Sequence, residues 1–173
     1  THYAGIQSGT PRSIYAQNTS NSQITRDLET PLYGEVWFSY IVKGASSGMR
    51  AGLGFNSSGE TASNPRVLVL DGSGNYTFGI WLPGSTIATS IPITESALVL
   101  GRIDIRSGND VIEAWINPDV DDLGSAHVSV TGTDQFDHTL GIRSIGVNSY
   151  NSSGNGGIVD NVRLATGEGA YEA

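Results

Sequence analysis

Hydrophobic and polar residues alternate over short segments of this chain, and clusters of Gly, Ser, Asn and Asp separate those segments. Alternation with a period of two puts every second side chain on the same face of a strand. Short alternating runs between turn-forming residues are typical of a β-sandwich or barrel. No stretch has a helical period of useful length. The pattern therefore predicts an all-β fold, and about ten strands in one domain imply two sheets packed face to face.

The clearest hairpin joins residues 98–106 to residues 111–117 through the turn-forming pair Gly108-Asn109. A two-residue turn predicts three cross-strand pairs, which are Arg106 with Val111, Asp104 with Glu113, and Arg102 with Trp115. The predicted core face carries Ile103, Ile105, Ile112, Ala114 and Ile116. The opposite face carries Arg102, Asp104, Arg106, Glu113 and Trp115. A slip of one residue would mix the two sets, so the pattern favours this parity.

The same test predicts the core side of three further segments. The inward residues are Val36, Phe38, Tyr40 and Val42; then Met49, Ala51, Leu53 and Phe55; then Leu68, Leu70, Tyr76, Phe78 and Ile80. All three tryptophans, Trp37, Trp81 and Trp115, then lie on faces away from the core. Additional strands are predicted at Ser13–Gln17, Ile91–Thr94, Ala126–Thr131, Gly141–Asn148 and Ile158–Leu164.

Composition and charge argue against several classes of function. The 173 residues suit a single domain, and a net charge of -8 with a pI near 4.6 argues against nucleic-acid binding. No apolar run is long enough to insert into a membrane. The chain has no cysteine, which excludes disulfides and thiol chemistry. Because Thr1 is not a natural start, we expect a monomeric module taken from a larger protein. A low charged fraction of 15% favours an extracytoplasmic one.

Five segments together resemble a known family. They are "GEVWFSYIV", "AGLGF", "DGSGNY", "LGRIDIRSGNDVIEAWINPDVDDLGSA" and "GIVDNVRLATG". In this order they are similar to the bacterial laminin-G-like, concanavalin A-like domains, and the resemblance runs from about Ser13 to Gly167. It implies one two-sheet antiparallel β-sandwich, a jelly roll, over residues 1–173 of a secreted or cell-surface protein. The family holds glycan-binding modules and domains of unknown role.

The outward face of the 98–117 hairpin is the candidate carbohydrate site. Trp115 beside Arg102 offers an apolar ring next to a charged donor, and Asp104 and Glu113 add directional hydrogen-bonding groups. Sugar rings have an apolar C–H face and a rim of hydroxyls, so this combination suits a polysaccharide. Trp37 and Trp81 extend the surface if their strands share this sheet. In the alternative interpretation, loops cover the tryptophans, or arginines stack on them without a ligand.

A structural calcium ion is the candidate cofactor. Asp160 shares strand parity with Val162 and Leu164, which points its carboxylate towards the core, and a buried carboxylate must be paired or bind a metal. In similar jelly-roll modules an Asp in the final "DNV" strand helps to bind calcium, and the resemblance implies that role for Asp160. The alternative is a carboxylate satisfied by backbone N–H groups or by an arginine such as Arg12.

No catalytic residues are predicted. Glycoside hydrolases of this fold carry two or three acidic residues at alternate positions of one strand, whereas residues 102–106 carry one carboxylate flanked by arginines. The predicted Asp104–Glu113 pair is within reach of a retaining mechanism, but a salt-linked ladder is favoured. The histidines lack recognisable partners, and His127 is predicted to lie on the surface. The sequence favours a non-catalytic carbohydrate-binding module, then a structural or adhesive spacer, and then a polysaccharide lyase or hydrolase.

Overall fold

The computed structural model describes residues 14–15, 22–43, 49–57, 65–71, 76–82, 85–91, 96–119, 121–133, 135–151 and 158–167. These residues form strands and connecting segments, with no helix long and apolar enough to cross a membrane. The strands of the described residues are β1 Ile14–Tyr15, β2 Ser22–Leu32, β3 Glu35–Lys43, β4 Met49–Asn56, β5 Arg66–Asp71, β6 Tyr76–Leu82, β7 Ser85–Ile91, β8 Ser96–Asp104, β9 Asp110–Ile116, β10 Val128–Thr133, β11 Ile142–Asn151 and β12 Ile158–Thr166.

The strands form two antiparallel sheets. The first sheet has the order β1-β12-β3-β8-β9-β10, and the second has the order β2-β11-β4-β5-β6-β7. Both sheets mix strands from the two ends of the chain, and five of the ten pairings between the described strands join strands that are not consecutive in sequence. The predicted all-β, two-sheet antiparallel sandwich is therefore confirmed.

The core lies between the sheets and contains alternate residues of the inner strands. Tyr40 of β3 is fully buried, and its hydroxyl donates a hydrogen bond to the carbonyl oxygen of Val67 in β5 at 2.8 Å. Phe38 of β3 packs on Phe55 of β4 with 4.8 Å between ring centroids. The confirmed inward predictions are Val36, Phe38, Tyr40, Val42, Ala51, Leu53, Phe55, Phe78, Ile80, Ile103, Ile105, Ile112, Ala114 and Ile116. The side chains of Met49 and Tyr76 lie outside the described part of the chain.

The prediction for β5 is wrong in parity. The core residues of β5 are Val67 and Val69, which pair with Ile80 and Phe78 of β6. Leu68 and Leu70 occupy the alternate positions of β5. Every residue from 67 to 70 is apolar, so alternation could not choose between the two faces. The register with β6 determines that Val67 and Val69 face the core.

The β8–β9 register differs from the prediction by two residues. Arg102 pairs with Glu113, and Asp104 pairs with Val111. The connection is longer than Gly108-Asn109 because β8 ends at Asp104 and β9 begins at Asp110. Ile105 leaves the hairpin ladder, and its N–H donates to Gly34. A shift of two residues keeps each side chain on its face, so the predicted core set survives while the cross-strand partners change.

Two strands were missed by the alternation test. β2 and β7 are the outer strands of the second sheet, and most of their described residues are exposed or half-buried. A strand whose residues are mostly exposed carries little period-two signal in the sequence. The strand predicted at 91–94 overlaps β7 only at Ile91, and residues 92–95 lie outside the described part. The strand predicted at 13–17 is described only at β1.

Candidate functional site

One row of side chains crosses the outer face of the first sheet. The register aligns Trp37 of β3, Arg102 of β8, Glu113 of β9 and Ser129 of β10 on four neighbouring strands. Their chain neighbours on the same strands point into the core, so alternation turns these four side chains outward. Rigid strands therefore hold an indole, a guanidinium, a carboxylate and a hydroxyl side by side.

Trp37 and Trp115 form a small apolar cluster on this outer face. Their rings stack with 5.8 Å between centroids and 20° between planes. Leu100 and Ala165 complete the cluster, and Leu123 and Ala126 of the segment after β9 pack over it. Trp37 is 6% exposed and Trp115 is 5% exposed. Neither indole offers an open face, so the alternative interpretation, in which a loop covers these tryptophans, describes their surroundings.

A charged network borders the indoles. Arg102 donates from its two terminal nitrogens to Glu35 at 3.2 Å and to Glu113 at 2.5 Å. The Trp37 indole N–H donates to the other oxygen of Glu35 at 2.8 Å. The Arg102 guanidinium also lies 5.9 Å from the centroid of the Trp37 ring. Two carboxylates and an aromatic ring therefore fix the position of this arginine.

A cleft of about 530 Å³ opens beside this network. Its floor consists of Trp37, Arg102, Glu113, Trp115 and Ser129, and its wall consists of Leu123, Gly124, Ser125 and Ala126. We call it the indole cleft. The cleft combines apolar surface with hydrogen-bonding groups, the usual make-up of a small-molecule site.

His127 holds the wall of the indole cleft against β9. Its backbone N–H donates to the carbonyl oxygen of Ala114, and its ring Nδ1 accepts the backbone N–H of Ile116, both at 3.0 Å. The Trp115 indole N–H donates to the carbonyl of Gly124 at 3.4 Å. His127 is exposed, as predicted, but it serves as a backbone partner that sets the course of the segment before β10.

The predicted site residues do not share one surface. Trp115 lies across from Leu100 rather than Arg102, and Asp104 forms an ion pair with Arg106 instead of facing Glu113. Trp81 belongs to the second sheet, where it pairs with Arg66. Burial and the neighbouring Arg50 lower the pKa of Arg66. The condition set for the tryptophans is therefore met by Trp37 and not by Trp81. Of the six predicted residues, the structure brings together Trp37, Trp115, Arg102 and Glu113.

Asp160 does not point into the core. Val159 is the buried residue, and Asp160 pairs with Ile41 on the outer face. An extra residue bulges from β12 between Asp160 and Arg163, with Asn161 at a φ of 52°, and this bulge reverses the parity assumed from Leu164. Asp160 Oδ1 accepts the N–H of Asn161 at 2.8 Å.

The described residues do not assemble a calcium site around Asp160. Calcium needs six to eight oxygen ligands, usually several of them carboxylates. Within the described ranges, no group of three or more His, Cys, Asp and Glu side chains could hold a metal ion. Calcium at Asp160 stays a prediction.

Sequence reasoning missed Glu35 and Ser129. Glu35 comes 67 residues before the arginine that it binds. Ser129 is one of many serines in the chain, and only its pairing with Glu113 brings it to the cleft. The outward parity of β3 and β10 could have suggested both residues, but the order of strands in the sheet was needed to bring them together.

Solved structures show what the fold is similar to. No protein-family model matches the chain, and no curated protein matches it. A bifunctional GH43-CE protein from Bacteroides eggerthii matches at a TM-score of 0.59 and 14% identity, over 93% of this chain and 22% of that one. The Caenorhabditis elegans galectin LEC-6 matches at a TM-score of 0.51 and 11% identity, over 89% of this chain and 96% of that one.

The catalytic domain of an endo-1,3-β-glucanase, a laminarinase from Thermotoga petrophila, matches at a TM-score of 0.53 and 8% identity, over 97% of this chain and 82% of that one. Identities this low establish the fold alone. The chain therefore has the concanavalin A-like jelly-roll fold, which lectins and glycoside hydrolases share.

Proposed function

We propose that this domain is a non-catalytic carbohydrate-binding module and that the indole cleft is its polysaccharide site. The observation that carries the proposal is the cleft itself, where two indoles, a carboxylate and a hydroxyl line about 530 Å³ of open space. The lectin and glucanase folds among the structural neighbours support a role with sugars.

The burial of the indoles changes how a sugar would bind. A ring stacked flat on Trp115 requires an open aromatic face, and only 5% of Trp115 is exposed. A sugar would instead lie over the indole edges and Leu123, with its hydroxyls directed to Glu113 and Ser129. Recognition then depends more on hydrogen-bond direction than on stacking area.

The proposal is for a binding module rather than an enzyme. A glycoside hydrolase uses two carboxyl groups beside the bond to be cleaved, whereas a carboxylate in an ion pair with a guanidinium is engaged in holding that group. Glu35 and Glu113 both form such a pair with Arg102. Both carboxylates therefore serve to hold the arginine and to accept hydrogen bonds.

The domain would act at an extracellular or cell-surface location beside other modules. The chain spans 22% of the Bacteroides protein and 33% of a Bacillus halodurans xylan β-1,4-xylosidase, so each match is to one part of a larger protein. A small module with an open cleft would bring such a protein to its polysaccharide without taking part in bond cleavage.

Blocking the indole cleft tests the proposal. Ser129→Tyr puts a bulky ring on the cleft floor, and Thr131→Tyr is the matched control on the same strand and the same face. After a glycan array has identified a ligand, affinity electrophoresis compares the variants. We expect Ser129→Tyr to lose binding and Thr131→Tyr to retain it, with equal melting temperatures.

Three outcomes contradict the proposal. If the parent protein binds no glycan on the array, the domain is a structural or adhesive spacer. If Trp81→Ala on the second sheet abolishes binding while Ser129→Tyr does not, the protein binds sugar on its other face. Release of reducing ends or unsaturated products from the bound polysaccharide would show that the domain is an enzyme.

A further inference from the structure

The charge balance of the indole cleft points to the class of its ligand. Arg102 is the cation on the cleft floor, and Glu35 and Glu113 both bind it. Glu113 lines the cleft together with Arg102, whereas Glu35 binds Arg102 without being a lining residue. The other lining residues, Trp37, Trp115, Leu123, Gly124, Ser125, Ala126 and Ser129, are uncharged. Two glutamates and one arginine leave an excess of one negative charge at the site.

Arg102 is in a poor position to bind an anion. Its two terminal nitrogens already donate to carboxylates, and its Nε is buried without a hydrogen-bond partner. The guanidinium also packs at 5.9 Å over Trp37. Each terminal nitrogen keeps a second N–H, but a ligand carboxylate that reached it would meet the negative charge of both glutamates.

Glu113 is the group that faces the ligand. Its Oε2 accepts from Arg102, and its second oxygen, Oε1, takes no part in that bond. Its side chain is 23% exposed and lies directly across from the hydroxyl of Ser129. An ionised carboxylate oxygen only accepts hydrogen bonds, so its partner in a ligand must donate.

We propose that the indole cleft selects uncharged, hydroxyl-rich saccharides and rejects those bearing carboxylate or sulfate groups, with Glu113 as the residue that sets this selection. This inference rests on the proposed function. A sugar hydroxyl donates to Glu113, whereas a uronate or sulfate brings a further negative charge to a cleft whose lining cation, Arg102, already binds two glutamates. The overall charge of -8 acts in the same direction.

Matched glycans test the selection. The probes are immobilised oligosaccharides of cellulose, xylan, mannan, galactan and β-1,3-glucan, each as the neutral form and as a derivative carrying carboxylate groups. We expect carboxylated forms of the bound backbone to bind about tenfold more weakly in low salt, as one added charge repulsion of this range predicts. The difference should shrink in high salt.

A pair of variants separates the cleft from the overall charge. Glu113→Gln removes one negative charge in the cleft and keeps an oxygen for Arg102, while Glu29→Gln removes one from an exposed position on β2. We expect Glu113→Gln to bring the neutral and carboxylated forms within about twofold of each other. Glu29→Gln should discriminate between the neutral and carboxylated forms as strongly as the parent protein does.

The failures of the two proposals are distinguishable. If no glycan of either kind binds, the proposed function fails, and the selection fails with it. If carboxylated forms bind as tightly as neutral ones, or if Glu29→Gln changes the discrimination as much as Glu113→Gln, the function stands and the selection is overturned.

Discussion

The carboxylate of Asp110 accepts the backbone N–H of Phe136, with 2.8 Å between Asp110 Oδ2 and the nitrogen. The same oxygen accepts the N–H of Gln135, and Oδ1 accepts the N–H of Arg106 at 3.0 Å. Asp110 has no exposed surface. One buried carboxylate therefore joins the β8–β9 connection to the segment that leads into β11.

Replacing Asp110 should destabilise the fold. Asp110→Ala leaves backbone N–H groups without acceptors, so we expect a loss of about 2–4 kcal/mol in the free energy of unfolding, measured by urea denaturation. The control is Asp104→Ala, which removes only the surface ion pair with Arg106 and should cost less than about 1 kcal/mol. Equal losses would contradict a structural role for Asp110.

Gly101 should not tolerate a larger residue, because the Phe38 ring occupies the space that a side chain at position 101 would need. A Cβ on Gly101 would lie 2.0 Å from Cζ of the buried Phe38 ring. We expect Gly101→Ala to cost about 1–3 kcal/mol, as overpacked cores do. Gly108→Ala is the control, because a Cβ there meets nothing within 4 Å. Thermal denaturation measures both, and adding Phe38→Leu to Gly101→Ala should restore part of the loss.

Trp37 and Trp115 should stabilise the first sheet as a pair. Each buries the other, so we expect Trp37→Ala and Trp115→Ala each to cost about 3–5 kcal/mol. The double variant should cost clearly less than the sum, because the second substitution removes contacts already lost. Urea denaturation of the four proteins measures this coupling. Additive losses would mean that the two rings do not support each other.

The pKa of Asp137, in the turn before β11, is lowered by its hydrogen bonds. The Thr139 hydroxyl and backbone N–H groups bond to Asp137 and hold the pKa of that carboxyl below its ordinary value of 3.8. The folded state prefers the ionised form. This stabilisation is therefore full above pH 3.8 and is lost as the pH falls through the lower folded pKa.

Thr139→Val should raise the pKa of Asp137 towards 3.8, because it removes the hydroxyl donor, the largest contribution. An NMR titration of the carboxyl carbon measures this change directly. Thr131→Val, on β10, is the control and should leave the titration of Asp137 where it is. An unchanged pKa in Thr139→Val would mean that the hydroxyl bond does not form in solution.

Period-two alternation determined the fold class and much of the core. In β3, β8 and β9 the parity of the apolar positions predicted the inward face correctly, although the outward residues Trp37, Leu100 and Trp115 are buried as well. Alternation did not predict the inward face correctly where both faces of a strand are similar in polarity. The residues Val67 to Leu70 are all apolar, and the edge strand β2 is largely exposed.

Tertiary structure decided the partners of each outward side chain. Parity predicted that Arg102 and Glu113 face away from the core, but a two-residue shift in register made them an ion pair and moved Trp115 across from Leu100. A bulge turned Asp160 outward. The reason is physical: parity follows from local backbone geometry, whereas register and strand order depend on long-range pairing. The indole cleft exists because of those pairings, with Glu35, Arg102, Glu113 and Ser129 brought together from four strands.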